Sequence, residues 1–121
     1  MAAPAIYGLR KPTHEYLFNV HRFGDGTLMA VGEHGMVWQE SGGEWRELAP
    51  PTFLTLYGLW GLSFDDFWVA GNAGFLAHWD GRSWQRLESG ISTTLSGIWG
   101  TGPDDLYAFG ENVLLHWNGV W

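Results

Sequence analysis

The sequence predicts an all-β fold of small four-stranded antiparallel sheets, repeated every 39 residues, on three observations. The first is positional. Leu17, Leu56 and Leu95 are 39 apart, and the same step separates Gly32, Gly71 and Gly110, then Ile6, Trp45 and Trp84, and again Leu9, Leu48 and Leu87. Four such triples in one register mean internal duplication, and a period of about 40 belongs to solenoids or propellers. The second is that each period holds four short runs rich in Leu, Val, Phe, Trp and Tyr, the side chains that suit a half-buried pleated surface. The third is composition: 18 Gly and 17% aromatics against only 16% charged residues. That balance fits many short strands joined by tight turns. A 3.6-residue apolar rhythm, which helical repeats need, is missing, and leucine-rich repeats are shorter with one strand each. Four strands per unit is the blade of a β-propeller.

Taken in order, residues 1–5 form a loose start. Residues 6–10 align with the last strand of a repeat, because Ile6 falls where Trp45 and Trp84 fall; they read as a fourth strand, d, with no a, b or c before it. The first copy, 17–55, follows with strand a at 17–21, b at 27–32, c at 35–40 and d at 45–49. It is the most diverged: His21 replaces the Trp of Trp60 and Trp99, Gly24-Asp25-Gly26 fills its a–b loop, and it departs again at Gln39-Glu40. The second copy, 56–94, has strands at 56–60, 66–71, 74–79 and 84–88. Ser63 to Asp66, Gly71 to Gly74 and Asp80 to Ser83 separate them, residues suited to tight turns because Gly and Asn tolerate positive φ and Asp caps its own turn. The third copy, 95–121, has strands at 95–99, 105–110 and 113–117 and stops at Trp121, where strand d should begin.

One leading strand d and a final blade lacking one suggest closure of a ring by strand exchange. Three blades cannot close, since rings have about four to eight. The expectation is therefore a half-propeller that closes as a six-bladed ring by homodimerisation, Ile6, Tyr7, Gly8 and Leu9 of each chain completing the blade that ends at Trp117 and Trp121 of the other. A two-fold dimer satisfies both ends reciprocally. The competing reading is a fragment of a longer propeller.

Charge and composition exclude several classes. With 6 basic and 13 acidic residues the net charge is −7, which argues against nucleic-acid and anionic-membrane partners, both of which need clustered Lys and Arg. No apolar run is long enough to span a bilayer, and Met1-Ala2-Ala3-Pro4-Ala5 lacks the pattern of a signal peptide. Without cysteine there is no disulfide framework or thiolate site, and the compartment stays open.

The string Leu-x-Gly-Leu/Ile-Trp-Gly, then Asp-Asp, an aromatic pair, Gly and His-Trp-Asp/Asn-Gly, occurs at 56–81 and 95–119. It resembles the β-propeller repeats found in tandem in large bacterial proteins, notably of myxobacteria, which are loosely related to Asp-box and WD-like repeats. The turns Ser41-Gly42-Gly43-Glu44-Trp45 and Asp80-Gly81-Arg82-Ser83-Trp84 echo an Asp-box hairpin. The resemblance implies a propeller and structural hairpins; it implies no activity, because this fold hosts lectins, scaffolds and enzymes alike.

Candidate chemistry follows from the repeated polar and aromatic residues, each with a structural alternative. Asp65-Asp66 and Asp104-Asp105 sit in the a–b loops and could form an acidic rim for a cation such as Ca²⁺; the alternative is turn chemistry with one carboxylate solvated. His78 and His116 end strand c beside a Trp, and their alternative role is to satisfy a group near the turn. Trp60, Trp99, Trp68 and Tyr107 could stack on sugar rings, an apolar face with a polar edge matching a sugar's C–H face; the alternative is packing between blades. No Ser/His/Asp set, phosphate loop or metalloprotease pattern is present, and no cofactor is implied. The expected function is a non-enzymatic binding or assembly module, with itself and a glycan or small molecule as partners, or else a purely structural half-ring, natural or engineered, with no ligand.

Overall fold

A computed structural model describes residues 13–119 as three antiparallel sheets in series. The first contains β1 (Leu17–Arg22), β2 (Leu28–Gly32), β3 (Val37–Ser41) and β4 (Glu44–Leu48), hydrogen-bonded in chain order. The second contains β5 (Leu56–Ser63), β6 (Asp66–Gly71), β7 (Leu76–Trp79) and β8 (Trp84–Arg86), again in chain order. The third contains β9 (Leu95–Gly102), β10 (Asp105–Gly110) and β11 (Val113–Trp117). No helix among the described residues is long and apolar enough to cross a membrane.

The repeat now has steric causes. Gly32, Gly71 and Gly110 end the second strand of each sheet opposite Leu17, Leu56 and Leu95, which open the first. A Cβ at these glycines would lie 2.1–2.2 Å from the carbonyl oxygens of Tyr16, Thr55 and Thr94, so only glycine fits. The first strand of each sheet also carries an irregularity just after its start, between Leu17 and Asn19, between Leu56 and Gly58, and opposite Phe109 and Gly110. Such bulges add local twist.

Two boundaries differ from the sequence reading. The first strands run to Ser63 and Gly102, not to 60 and 99, because the a–b connection tightens to two residues, Phe64-Asp65 and Pro103-Asp104. The third strands begin later, at Val37 and Leu76, because 33–35 and 72–74 form short 3-10 turns. There His34 and Gly35 (φ 59 and 75) and Ala73 and Gly74 (φ 58 and 71) are left-handed pairs. This is the mirror-image turn whose twist matches a hairpin's strands.

The sheets stack face to face, with β5 packed against both β1 and β9. Alternation along each strand sends residues to opposite neighbours. Phe67 and Val69 join Phe23, Met29, Val31, Val37 and Leu59 in one buried cluster between the first and second sheets. Trp68 and Ala70 join Trp60, Leu76, Leu95, Ile98, Leu106 and Ala108 in another between the second and third. Each fully buried Phe or Leu in these walls contributes about 1.5–3 kcal/mol. Polar links span the first junction: Asn19 Nδ2 donates to the Tyr57 carbonyl at 3.0 Å, and Trp84 Nε1 to the Ala49 carbonyl at 2.8 Å.

Candidate functional site

The repeat allows each exposed residue to be compared with its buried copies, and this comparison locates the candidate surfaces. Val31 and Leu59 lie together in the first wall, and Ala70 and Ile98, 39 residues further on, in the second. One more step leads from Ala70 to Phe109, on the outer face of the third sheet. One step back from Leu59 leads to Val20, on the outer face of the first. Exposure decides what these faces are. Trp60 is 8% exposed but its copy Trp99 is 57%; Leu59 is 2% exposed but its copy Val20 is 58%. Leu76 is fully buried, whereas Leu114, which pairs with Phe109 as Leu76 pairs with Ala70, is 68% exposed. Among the described residues, both end faces therefore carry wall-type residues without a wall.

On the third sheet the outer face also presents Tyr107 with the His116 ring stacked on it, centroids 4.4 Å apart and planes 14° apart. On the first sheet Tyr16 and Phe18 are exposed beside Val20, and Phe18 leans over Tyr57 at 4.9 Å. Trp38, at the position of Ala77, has a buried indole N–H with no hydrogen-bond partner among the described residues. A buried unpaired donor is uncommon and costs about 1–3 kcal/mol.

The rim, where the a–b turns lie, holds the acidic pairs. His78 Nε2 is 2.7 Å from Asp66 Oδ1, and His116 Nε2 is 2.8 Å from Asp105 Oδ1. The His78 ring stacks on Trp68, centroids 4.2 Å apart, as His116 stacks on Tyr107. Ser63 Oγ donates to Asp65 Oδ1 at 2.6 Å and Thr101 Oγ1 to Asp105 Oδ2 at 2.5 Å. The Thr101 hydroxyl, then His116, hold the Asp105 carboxyl below the ordinary range despite some desolvation. A clamp between the start of the second strand and the end of the third is what this arrangement does mechanically. Among the described residues no three His, Cys, Asp or Glu side chains gather as metal ligands would. Asp104 lies exposed in its turn.

Of the four aromatic candidates for sugar stacking, the structure places Trp60 and Trp68 together in the second wall, ring centroids 5.6 Å apart. It leaves Trp99 and Tyr107 on the third sheet's outer face. Of the closure residues, Trp117 packs against the second wall and donates its indole N–H to the Pro103 carbonyl at 3.1 Å. Ile6, Tyr7, Gly8, Leu9 and Trp121 lie outside the described residues. Among the described residues β11 has β10 as its one strand neighbour. Sequence reading missed a rim pocket between the first and second sheets, although its signal was present in the departure of the first copy at Gln39.

No family model matches the chain, and no curated protein matches it. Among solved structures it is similar to one described as YCF48 bound to D1 peptide, with a TM-score of 0.74 and 24% identity. The likeness covers 87% of this chain and 38% of that one. YCF48 is a β-propeller protein. The architecture here is propeller-like. The three sheets are then its blades, and this chain spans little more than a third of the neighbour's length.

Proposed function

We propose that this chain is a non-enzymatic binding and assembly module, a half-propeller closed by a second copy into a six-bladed ring. One observation carries the reading: Trp99, Phe109 and Leu114 on one end, and Val20 on the other, are exposed copies of residues that bury each other at the internal junctions. Each end face matches the other because both internal walls are built from the same pair of faces. Soluble proteins tolerate contiguous apolar patches of only a few hundred Å², and two faces of this kind on one molecule favour mutual burial. In the ring, strand 6–10 of one copy adds to the open edge of β11 in the register of β7 and β8. Trp99 and Tyr107 serve assembly in this arrangement, so any sugar site lies elsewhere.

The clamp geometry supports a non-enzymatic role. In a hydrolytic triad the hydroxyl gives its proton to the imidazole and the carboxylate stands behind it. Here the Asp105 carboxylate stands in the middle and binds both Thr101 and His116, which activates no nucleophile. The solved neighbour is bound to a peptide, and this favours binding over chemistry as the use of the fold. The repeats are also proposed to belong with the tandem bacterial propeller repeats, on the strength of Gly58-Leu59-Trp60-Gly61 and Gly97-Ile98-Trp99-Gly100.

Light scattering on the purified chain tests the assembly. The expected mass is twice the 13.6 kDa of one chain. A stable monomer at micromolar concentration with Trp99 still exposed would refute it, and a defined ring of another number would replace the second copy with more.

A further inference from the structure

The clamp that closes the rim of blades 2 and 3 is absent from blade 1. The residues 39 positions before Asp66, His78 and Trp68 are Thr27, Gln39 and Met29. Thr27 and Gln39 are both buried, but neither bridges to the other. Gln39 instead turns across the junction: its Nε2 donates to the Phe64 carbonyl of blade 2 at 3.2 Å, and its Oε1 accepts from Arg46 Nη2 at 3.5 Å. Asp25 ties the same two loops together, accepting from the Thr27 amide at 2.9 Å and the Phe64 amide at 3.0 Å. At this unclamped rim lies a pocket of about 480 Å³, within the range of about 300–1,000 Å³ typical of small-molecule sites.

We propose that this cavity between blades 1 and 2 is a binding site for a neutral sugar ring. Its blade 2 side is the ring of Phe64, which is exposed and offers an apolar face for C–H stacking. Its blade 1 side is lined by Gln39, Ser41, Glu44 and Arg46. Amide, hydroxyl, guanidinium and carboxylate together supply donors and acceptors in the mixture that vicinal hydroxyls need. The charges are of both signs, Asp25 and Glu44 against Arg46, so the site offers charge-assisted donors and acceptors to hydroxyl groups without a uniform field that would select one ion. Asp25 accepts from two backbone amides and Arg46 gives one N–H to Gln39 at 3.5 Å, so the remaining Arg46 N–H groups and the Glu44 carboxylate are what orient a ligand. The site deepens the binding-module reading and does not require the dimer, because both walls belong to one chain.

Nitrogen–proton correlation spectra of the full chain test it, titrated separately with methyl α-D-glucoside, methyl α-D-galactoside and N-acetylglucosamine. At least one should shift the Gln39 side-chain amide and the Thr27 and Phe64 backbone amides saturably, with Trp99 unmoved. Arg46→Ala and Phe64→Ala should each weaken that binding about tenfold or more, the scale of losing a charge-assisted hydrogen bond or an apolar platform, while dispersed spectra and the mass in solution stay those of the parent. No saturable shift from any of the three sugars would overturn the proposal, and so would shifts unchanged in both variants. The mass measurement reports on ring closure separately, so failure of one leaves the other standing.

Discussion

Blades 2 and 3 share a motif almost residue for residue, yet the same side chain has opposite fates in them. Trp60 is walled in by blade 3, and Trp99 faces outward with nothing described against it. The sequence of a repeat specifies which face is apolar; whether that face is covered depends on a neighbour. Internal blades therefore draw stability from both sides, end blades from one, and a repeat protein ends in either a polar cap or a partner. Among the described residues the outer face of the third blade is apolar, with Trp99, Phe109 and Leu114 exposed.

The sharpest way to test that contrast is to remove the two tryptophans separately. Trp60→Ala should destabilise by about 3–5 kcal/mol, as loss of a buried Trp does, and by the same amount at every protein concentration. Trp99→Ala should change stability only through assembly, so its effect on the melting temperature should grow with protein concentration. Chemical denaturation at several concentrations distinguishes them; equal, concentration-independent losses would erase the distinction between the two blades.

Next in size is Gly71→Ala. The added methyl would meet the Thr55 carbonyl at 2.2 Å, and both groups belong to paired backbone, so relief costs about 1–3 kcal/mol. The same change at Gly42, where a Cβ meets nothing within 4 Å but φ is 63°, carries only the left-handed penalty of about 1–2 kcal/mol. Ala73→Gly runs the other way. Ala73 sits at φ 58° and is exposed, so glycine should stabilise by up to about 1 kcal/mol, read as a raised denaturant midpoint.

The smallest effect concerns the clamps. Thr101 first, and then His116, hold the Asp105 carboxyl below its ordinary value in the folded chain. A depressed folded pKa gives stability that is present above the unfolded pKa and lost as pH falls through the folded one. Stability should thus decline below about pH 4, and Asp105→Asn should remove part of that decline. Its measure is the denaturant midpoint between pH 7 and pH 3; an unchanged slope would mean that the clamp is mechanically idle.

Much of the fold was legible because the constraints are steric and local. Three glycines against three carbonyls, and alternating apolar strands, recur at the spacing that the sequence displays. Strand ends were less legible: Ser63 and Gly102 extend the first strands because two-residue turns form there, and turn length depends on cross-strand pairing that no single residue announces. The site was the least legible part. Composition alone left Trp60 and Trp68 as either sugar platforms or packing between blades, and alternation makes them the wall with Ile98 and Leu106. The rim pocket depends on what is missing from blade 1, an Asp–His pair replaced by Thr27 and Gln39, and such an absence gains meaning only beside the intact clamps of the other two blades.

Disulfide capture between the end faces tests ring closure most directly, because the chain has no cysteine of its own. Val20 and Phe109 stand where Leu59 with Val31, and Ile98 with Ala70, meet inside the walls. A Val20→Cys chain mixed with a Phe109→Cys chain should oxidise to a covalent heterodimer, faster than either chain alone forms a homodimer. Equal rates in the mixture and in the separate chains would contradict a ring in which blade 3 of one copy packs on blade 1 of the other.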